Sequence, residues 1–423
     1  MGQDQSVRSA QIPAAKVIYI QGKAYDVTTW SRWHPGGSLV FEHWAGKDAT
    51  EPFTAFHPPA VRDRLKSLEV QNSQAPSNAP KASLRLQQLS LKLHLDGLFC
   101  TSYWFYAKTF LWAAGLLSLG IWAATCARPV VAALAVALFW QQMAFVGHDA
   151  GHNAVTHDRW VDGILGLIVT STVGIGISWW KHTHNVHHTC PNSVDCDPDI
   201  QFMPIIAVDE AYFTSLHSRH HDATLTFDRT ARRLISYQHF TFLPLLMFAK
   251  WGLYNESCKQ LLFKRAYIDR KAEVCAQVLF FCWYFLLAAQ LPTAGSRAAF
   301  ILLSHAAFFI LHLQICLSHF AAPTFLGTPQ AEEGWLALQV QGTINWSCPP
   351  WLDWLHGGLQ FQIEHHLFPR MPRHNLRKAS PHVQALCQEL GLPYHMPSFF
   401  GAIQETFVRL RKTALLARKA VLD

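Results

Sequence analysis

Three short stretches of this chain concentrate imidazoles at helical spacing. "GHDAGH" sets His148 and His152 at i and i+4. "KHTHNVHH" sets His184, His187 and His188 at i, i+3 and i+4. "QFQIEHH" repeats that register with Gln362, His365 and His366, so a glutamine stands where the second stretch has His184. Residues so spaced on a helix share one face, and each stretch aims its side chains at one point. Neutral imidazole suits iron, zinc or copper. Zinc takes only three or four protein ligands, so seven imidazoles point to two ions. The first pair alone would also suit an exposed helix face, but three such stretches, each beside an apolar segment, form a metal-site pattern. The acidic run Asp195, Asp197 and Asp199 follows the second stretch. Its carboxylates suit metal binding, orientation of a ligand histidine through its free ring nitrogen, or a solvated loop.

A second kind of site lies near the N-terminus. "WHPGGS" carries His34, and "GKDATEPFTAFHPP" carries His57 behind Phe53 and Phe56. The glycines permit a tight turn and close backbone approach to a ligand. Two imidazoles with apolar walls suit a low-spin b-type haem bound at both axial positions, which carries electrons and has no open site for oxygen. With that carrier on the same chain, the two ions read as a redox pair of irons. His43, between the two, reads as a surface residue.

The elements that must position these groups are mostly apolar. The chain has 423 residues, half of them hydrophobic and only 15% charged, against roughly 25% charged in soluble domains. A net charge of +7 suits nucleic acid or an anionic membrane face. The apolar content selects the membrane, and no nucleic-acid partner is expected. Ten cysteines include no CxxC pair; Cys190 and Cys196, the closest two, read as reduced thiols in a polar loop.

Charge-free runs over Thr109–Ala127 and Pro129–Gly147, then Val274–Gly295 and Ala298–Phe320, are about the length that crosses a bilayer. They predict four spanning helices in two hairpins. Gly163–Trp180 is dotted with Gly, Ser and Thr and is expected not to span; Phe240–Ala249 is too short. The polar first residues argue against a cleaved signal peptide and for a cytosolic N-terminus. The segment between the hairpins carries Lys181, Arg219, Arg229, Arg232, Arg233, Lys250, Lys264 and Arg265, against Arg128 and Arg297 in the hairpin loops. That bias places the long segment in the cytosol, and parity then puts every histidine stretch on the cytosolic side as a helical cap. His305, His312 and His319 form a stripe in the fourth span at steps of roughly 10 Å, so only the residue at its cytosolic end can join the cluster; His312 reads as a buried polar contact. His157 and His182 lie off the shared register and at most touch the ligands.

The N-terminal part, residues 14–71, reads as a small α+β domain with strands in "KVIYIQGKAYDVTTW" around Gln21-Gly22 and a short helix in "VRDRLKSLEV". It closely resembles the cytochrome b5 family, which implies His34 and His57 as axial haem ligands. The stretch before "KVIYI" is shorter than is usual there. The Ser-, Asn- and Pro-rich composition after it predicts a linker over 72–94, and 95–423 then form the membrane domain. With HDAGH, HNVHH and QIEHH behind it, the whole chain resembles the front-end membrane desaturases. Members carry glutamine at the position of Gln362. Related acyl desaturases bind iron through one more histidine on the fourth span, matched here by His319.

The resemblance implies a di-iron centre that uses O2, with electrons from the fused haem domain and ultimately from NADH through cytochrome b5 reductase, in the endoplasmic reticulum membrane. The substrate is a long-chain lipid, walled by aromatics such as Trp104, Phe105, Trp140 and Phe145. "THD" after HDAGH and "DPDIQ" after HNVHH lean toward Δ8 sphingolipid long-chain-base desaturases. "SCPPWLDWLHGGLQFQIEHH" leans toward Δ6 (or Δ5) acyl-lipid desaturases, and the sphingolipid reading leads. A b5-fused lipid hydroxylase, an electron-transfer protein and a zinc hydrolase are the rival classes.

Overall fold

The computed structural model describes residues 16–71, 81–264, 266–329 and 334–421. Strands β1 (Val17–Ile20) and β2 (Lys23–Asp26) pair antiparallel with Ile18 opposite Tyr25, as the alternation around Gln21-Gly22 predicts. Helices α1 (Leu39–Trp44), α2 (Thr50–Phe56) and α3 (Arg62–Leu65) follow. Ile18, Ile20, Val27, Phe41 and Trp44 form the core of this part. The short stretch before "KVIYI" lies outside the described residues, as does Arg265.

The expected linker over 72–94 is corrected in its second half. Helix α4 (Lys81–Leu95) occupies it, Leu86 and Leu93 are buried with Leu336 and Val383, and Arg85 pairs with Glu389. The apolar period from Leu84 onward was masked by the Pro- and Ser-rich residues ahead of it.

Helices α5 (Tyr103–Thr125) and α6 (Pro129–Gly151) are joined through Arg128 and pack along each other. Hydrophobic burial gives little drive for helix association inside lipid, so close approach of small residues and polar contacts must supply it. Gly120 lies against Ala132 and Val136, while Gln141 and Gln142 of α6 donate to the Leu355 and Trp354 carbonyls at 3.0 and 2.9 Å. Then come α7 (Arg159–Val173) and α8 (Ile177–Thr189), which meet at 110°. Gly174 at the bend has φ +81°, and a Cβ there would meet Phe280 at 2.4 Å. The bend divides the Gly163–Trp180 stretch and turns α8 back under the end of α6.

A short hairpin of β3 (Leu216–Ser218) and β4 (Ala223–Leu225) precedes α9 (Arg229–Ile235) and α10 (Gln238–Phe263). Helix α11 (Arg270–Ala289) leads to α12 (Ala294–Ala307), which continues through Phe308 into α13 (Phe309–Leu317). Four helices among the described residues are long and apolar enough to cross a membrane: α5, α6, α11 and the run Ala294–Leu317. Leu111 and Trp122 of α5, Phe285 and Leu286 of α11 and Leu302 of α12 turn outward and form the apolar exterior. The remaining helices are α14 (Gly334–Gln341), α15 (Asp353–His356), α16 (Gln362–Leu367), α17 (Leu376–Leu390) and α18 (Phe399–Lys419).

Two of the positive charges used for topology do not face solvent. Lys181 is buried with its ammonium on the Gly151 carbonyl. Lys250 donates to the Val173 carbonyl at 2.7 Å and lies 4.2 Å from the Trp140 ring and 4.6 Å from that of Phe308. The positive bias of the long segment is therefore carried by its arginines and the exposed Lys264.

Candidate metal centre and haem site

The end of α6, the length of α8, the turn after α13 and helix α16 converge on one point. Donor atoms of His148, His152, His184 and His365 lie within 4.8 Å of one another, and those of His187, His319 and His366 form a second such group. His188 sits between them. Its Nε2 is 3.1 Å from Nε2 of both His184 and His365, and its ring stacks on His366 at 4.2 Å. Nε2 of His187 and His366 are 3.3 Å apart. Two neutral nitrogens with facing lone pairs repel at such range unless a proton or cation lies between them. Adjacent ligands bound about 2.1 Å from one ion stand roughly 3 Å apart, so the donor set fits metal. Among the described residues, Nε2 of His148, both ring nitrogens of His152 and Oε1 of Gln362 are buried without a hydrogen-bond partner. Each such orphan costs about 1–3 kcal/mol unless a bound group satisfies it.

The second ring nitrogens are held by the protein. Nδ1 of His187 faces both Asp197 oxygens at 2.9 Å, Nδ1 of His366 donates to Gln339 Oε1 at 2.8 Å, and Nδ1 of His319 donates to the Gly342 carbonyl at 3.0 Å. Each leaves Nε2 free to bind metal. The acidic run is thus not solvated: Asp197 is fully buried and Asp199 faces His184 at 3.5 Å. Burial pulls His184 down to about 3 and holds His188, His365 and His366 well below the usual histidine range. Burial also acts to lower His187, but Asp197 and Asp199 outweigh it and raise it to about 9.

Neighbouring contacts fix the three stretches. Asp149, inside the first, accepts from Tyr106 Oη at 2.7 Å and pairs with Arg373, which also donates to the Phe145 carbonyl at 3.0 Å. Trp180 packs on His148, His152 and His184 at ring distances of 5.3, 5.1 and 4.4 Å. A Cβ on Gly151 would stand 1.9 Å from that indole, so position 151, just before His152, takes glycine because Trp180 at the head of the second stretch packs against it. Glu364 accepts from Asn345 at 2.8 Å and from Tyr394 at 2.6 Å, while Asn345 Oδ1 accepts from the Ile363 amide at 2.9 Å, which anchors α16. Gln339, Asp149 and Arg373 have no spacing signal in the sequence; only the folded contacts reveal them.

Other histidines stand apart. His157 bonds the Phe99 carbonyl at 2.8 Å, His182 lies against Gly37 and 5.4 Å from the His220 ring, and His305 stacks on Trp251 at 4.1 Å. His312 is buried and lines a cavity edge-on to Phe308. That cavity, about 1100 Å³, is bordered by His148, His184, His187, His319, Gln362 and His365, and is otherwise walled mainly by apolar side chains such as Val169, Val173 and Leu311. Of the aromatics expected to wall it, only Phe145 does. Trp104 is 71% exposed, Phe105 packs on Tyr106 and His374, and Trp140 is sealed in the core.

In the N-terminal part the His34 and His57 rings face each other at 5.7 Å between centroids. Two imidazoles on opposite sides of one iron, each bonded at about 2 Å, place their centres roughly 6 Å apart, so the pair fits haem. His57 Nδ1 donates to the Phe53 carbonyl at 3.0 Å, which leaves Nε2 for iron. This part docks on the histidine face of the membrane part. Lys47 donates to Thr328 Oγ1 at 2.7 Å, Glu51 accepts from the Trp335 amide at 3.1 Å, and Phe56, next to His57, lies 5.6 Å from the His188 ring. His43, expected at the surface, is 1% exposed and meets Thr189 Oγ1 at 3.0 Å. Docking of a second domain buries it, which no local pattern reports.

Residues 124–398 match the family model "Fatty acid desaturase", and residues 6–72 match "Cytochrome b5-like Heme/Steroid binding domain". An "Acyl-lipid (9-3)-desaturase" of Borago officinalis is 38% identical over 95% of this chain and 90% of its own. A "Delta(8)-fatty-acid desaturase 1" of Arabidopsis thaliana is 39% identical over 95% and 90%. A "Delta 8-(E)-sphingolipid desaturase" of Emericella nidulans is 29% identical over 96% and 93%. These matches assign haem to the N-terminal part and iron to a membrane-bound lipid desaturase part. The chain belongs to the fatty acid desaturase family, with a cytochrome b5-like domain fused at its N-terminal side.

Proposed function

We propose that the chain is an O2-dependent di-iron front-end desaturase that sets a double bond at the Δ8 position of a sphingolipid long-chain base. The observation that carries this reading is the pair of histidine groups bordering one long, mostly apolar cavity, with a bis-histidine domain docked on their far side. His148, His152, His184 and His365 hold one iron and His187, His319 and His366 the other. His188 stands between them, and Gln362 turns its amide oxygen to the same space. The two irons with O2 supply an oxidant strong enough to take hydrogen from an unactivated methylene.

The chain's own residues do the rest. The apolar walls seat an extended hydrocarbon beside the histidines and exclude water. Asn255, Glu256 and Lys259, which also border the cavity, offer polar contacts to a headgroup. His34 and His57 hold the haem, and Phe56 packs between that site and His188. Fusion keeps donor and acceptor at high effective concentration. In this reading the four apolar helices cross the endoplasmic reticulum membrane as two hairpins, the haem domain and histidine cap face the cytosol, and cytochrome b5 reductase passes electrons from NADH to the haem.

The borage relative, named an acyl-lipid desaturase and 38% identical, favours a second reading as a Δ6 (or Δ5) acyl-lipid desaturase. Expression in a yeast that makes neither Δ8-unsaturated long-chain bases nor Δ6- or Δ5-unsaturated fatty acids, with mass spectrometry of fatty acids and long-chain bases, tests them. A Δ8-unsaturated base is the expected product. Unsaturated fatty acids alone would establish the second reading, and a hydroxylated product would overturn both.

A further inference from the structure

A third cluster lies outside the two histidine groups, where the haem domain meets the membrane part. A ring nitrogen of His43 and the sulfurs of Cys190 and Cys196 lie within 4.8 Å of one another. His43 comes from α1 of the haem domain, while both cysteines follow α8 directly. The three residues are 1%, 0% and 0% exposed. His43 Nδ1 is 3.3 Å from Cys190 Sγ and 3.0 Å from Thr189 Oγ1, whose hydroxyl donates onward to the Val186 carbonyl at 2.7 Å. His43 Nε2 is buried and has no hydrogen-bond partner among the described residues.

Each thiol reaches a backbone carbonyl, Cys190 Sγ that of Val186 at 3.3 Å and Cys196 Sγ that of Gly327 at 3.6 Å, and these are weak bonds. Two thiols, weak donors and weak acceptors, are enclosed with an imidazole that keeps one nitrogen unsatisfied. Thiolate with imidazole is the donor set of structural zinc, with Zn–S about 2.3 Å and Zn–N about 2.0 Å. Tetrahedral placement at those lengths separates the donors by roughly 3.3–3.8 Å. His43 Nδ1 and Cys190 Sγ already stand at that spacing, 3.3 Å apart, the Cys196 sulfur lies within 4.8 Å of both, and the Thr189 hydroxyl is at hand for the fourth position.

We propose that His43, Cys190 and Cys196 bind one zinc ion, which clamps the haem domain to the segment carrying His184, His187 and His188. Binding converts two thiols to thiolates and releases two protons, with no change of oxidation state. The ion closes the interface a few residues from the second histidine stretch, and so fixes the distance from Phe56 to His188. The site is independent of the di-iron reading, because it shares no ligand with it.

The test uses the full-length protein in detergent, dialysed against micromolar zinc chloride and then buffer. Metal content is measured alongside haem absorbance, and zinc-edge X-ray absorption reports the ligands. One zinc per chain with two sulfur neighbours at about 2.3 Å is expected. The C190S and C196S variants should each lose at least 80% of that zinc while keeping haem, and H187A should keep it. Zinc bound only by nitrogen and oxygen, or zinc retained in both cysteine variants, overturns the proposal, as does absence of zinc after dialysis. Because a serine variant can misfold, the sulfur signal of the unaltered protein decides by itself. The clamp has its own readout: reoxidation of the reduced haem by O2 and lipid should slow at least fivefold in H43A, and an unchanged rate would refute the positioning role.

Discussion

Asp197→Asn isolates one carboxylate behind the proposed iron site. Both Asp197 oxygens stand 2.9 Å from His187 Nδ1, in a place with no solvent access. They also accept from two backbone amides, Asp199 at 2.9 Å and Asn192 at 2.7 Å. Asparagine keeps the shape but has one accepting oxygen. Its NH2 group must face one of those amides, so a buried donor goes unsatisfied at about 1–3 kcal/mol. The charge that orients His187 is lost as well, and removing such a partner weakens metal binding about 10- to 100-fold. That is roughly 1.4–2.8 kcal/mol. Non-haem iron per chain, measured against rising chelator with haem absorbance as the control for folding, should show release at about one tenth or less of the wild-type chelator concentration. Desaturation should fall with the iron. A variant that holds iron as tightly as wild type, with product formation within twofold, would refute the assignment of His187 as a ligand oriented by Asp197.

Gln362→Ile should lose most activity, because it removes a buried amide oxygen bordering the cavity that has no hydrogen-bond partner among the described residues; Gln362→His should keep some iron and activity, and full turnover by the isoleucine variant would show the amide to be incidental. Phe56→Ala should leave haem and iron content intact yet slow haem reoxidation several-fold, since it empties the contact 5.6 Å from His188; stopped-flow absorbance would expose an unaltered rate. After chelation, the protein should melt at lower temperature as pH falls from 7 to 5. His152, His184, His188, His319, His365 and His366 are held neutral by burial, so unfolding takes up protons below the ordinary histidine value and acid favours the unfolded state. His187 acts in the opposite sense: raised to about 9, its contribution is complete below about 6.5 and fades as pH rises through 9. Six against one sets the direction, and a melting temperature that rises on acidification would contradict it.

The ligand candidates were legible because metal sites on helices obey a period. His184, His187 and His188 must share a face of α8, and Gln362, His365 and His366 a face of α16, so spacing alone brings each set together. Apolar length similarly announces α5, α6, α11 and the α12–α13 run. What stayed hidden depends on contacts between segments far apart in the chain. Gln339 reaches His366, Arg373 reaches Asp149 and Glu364 reaches Tyr394, and none of these pairs has a period to read. Lys250 and Lys181 look like surface charges in sequence, yet the fold gives each a carbonyl and an aromatic ring. Trp104 misleads the other way: the helix it begins turns its ring outward, so an aromatic in a span is no guide to which side of the helix meets the substrate.

The register shared by His184 and Gln362 has a structural reason to differ in chemistry. His184 belongs to the group with His148, His152 and His365, and Asp199 lies behind it at 3.5 Å. That carboxylate can orient an imidazole through its second nitrogen. Gln362 sits at the first turn of α16, after a 3-10 segment that ends at Phe361, and among the described residues its buried amide oxygen has no hydrogen-bond partner and no carboxylate pairs with its side chain. An imidazole there would bury a second ring nitrogen with nothing to receive its proton, at about 1–3 kcal/mol. An amide has no such second ring nitrogen, and its oxygen still faces the cavity. On this argument, supplying a carboxylate behind position 362 should raise the activity of the Gln362→His variant, whereas the same carboxylate behind the native glutamine should add nothing.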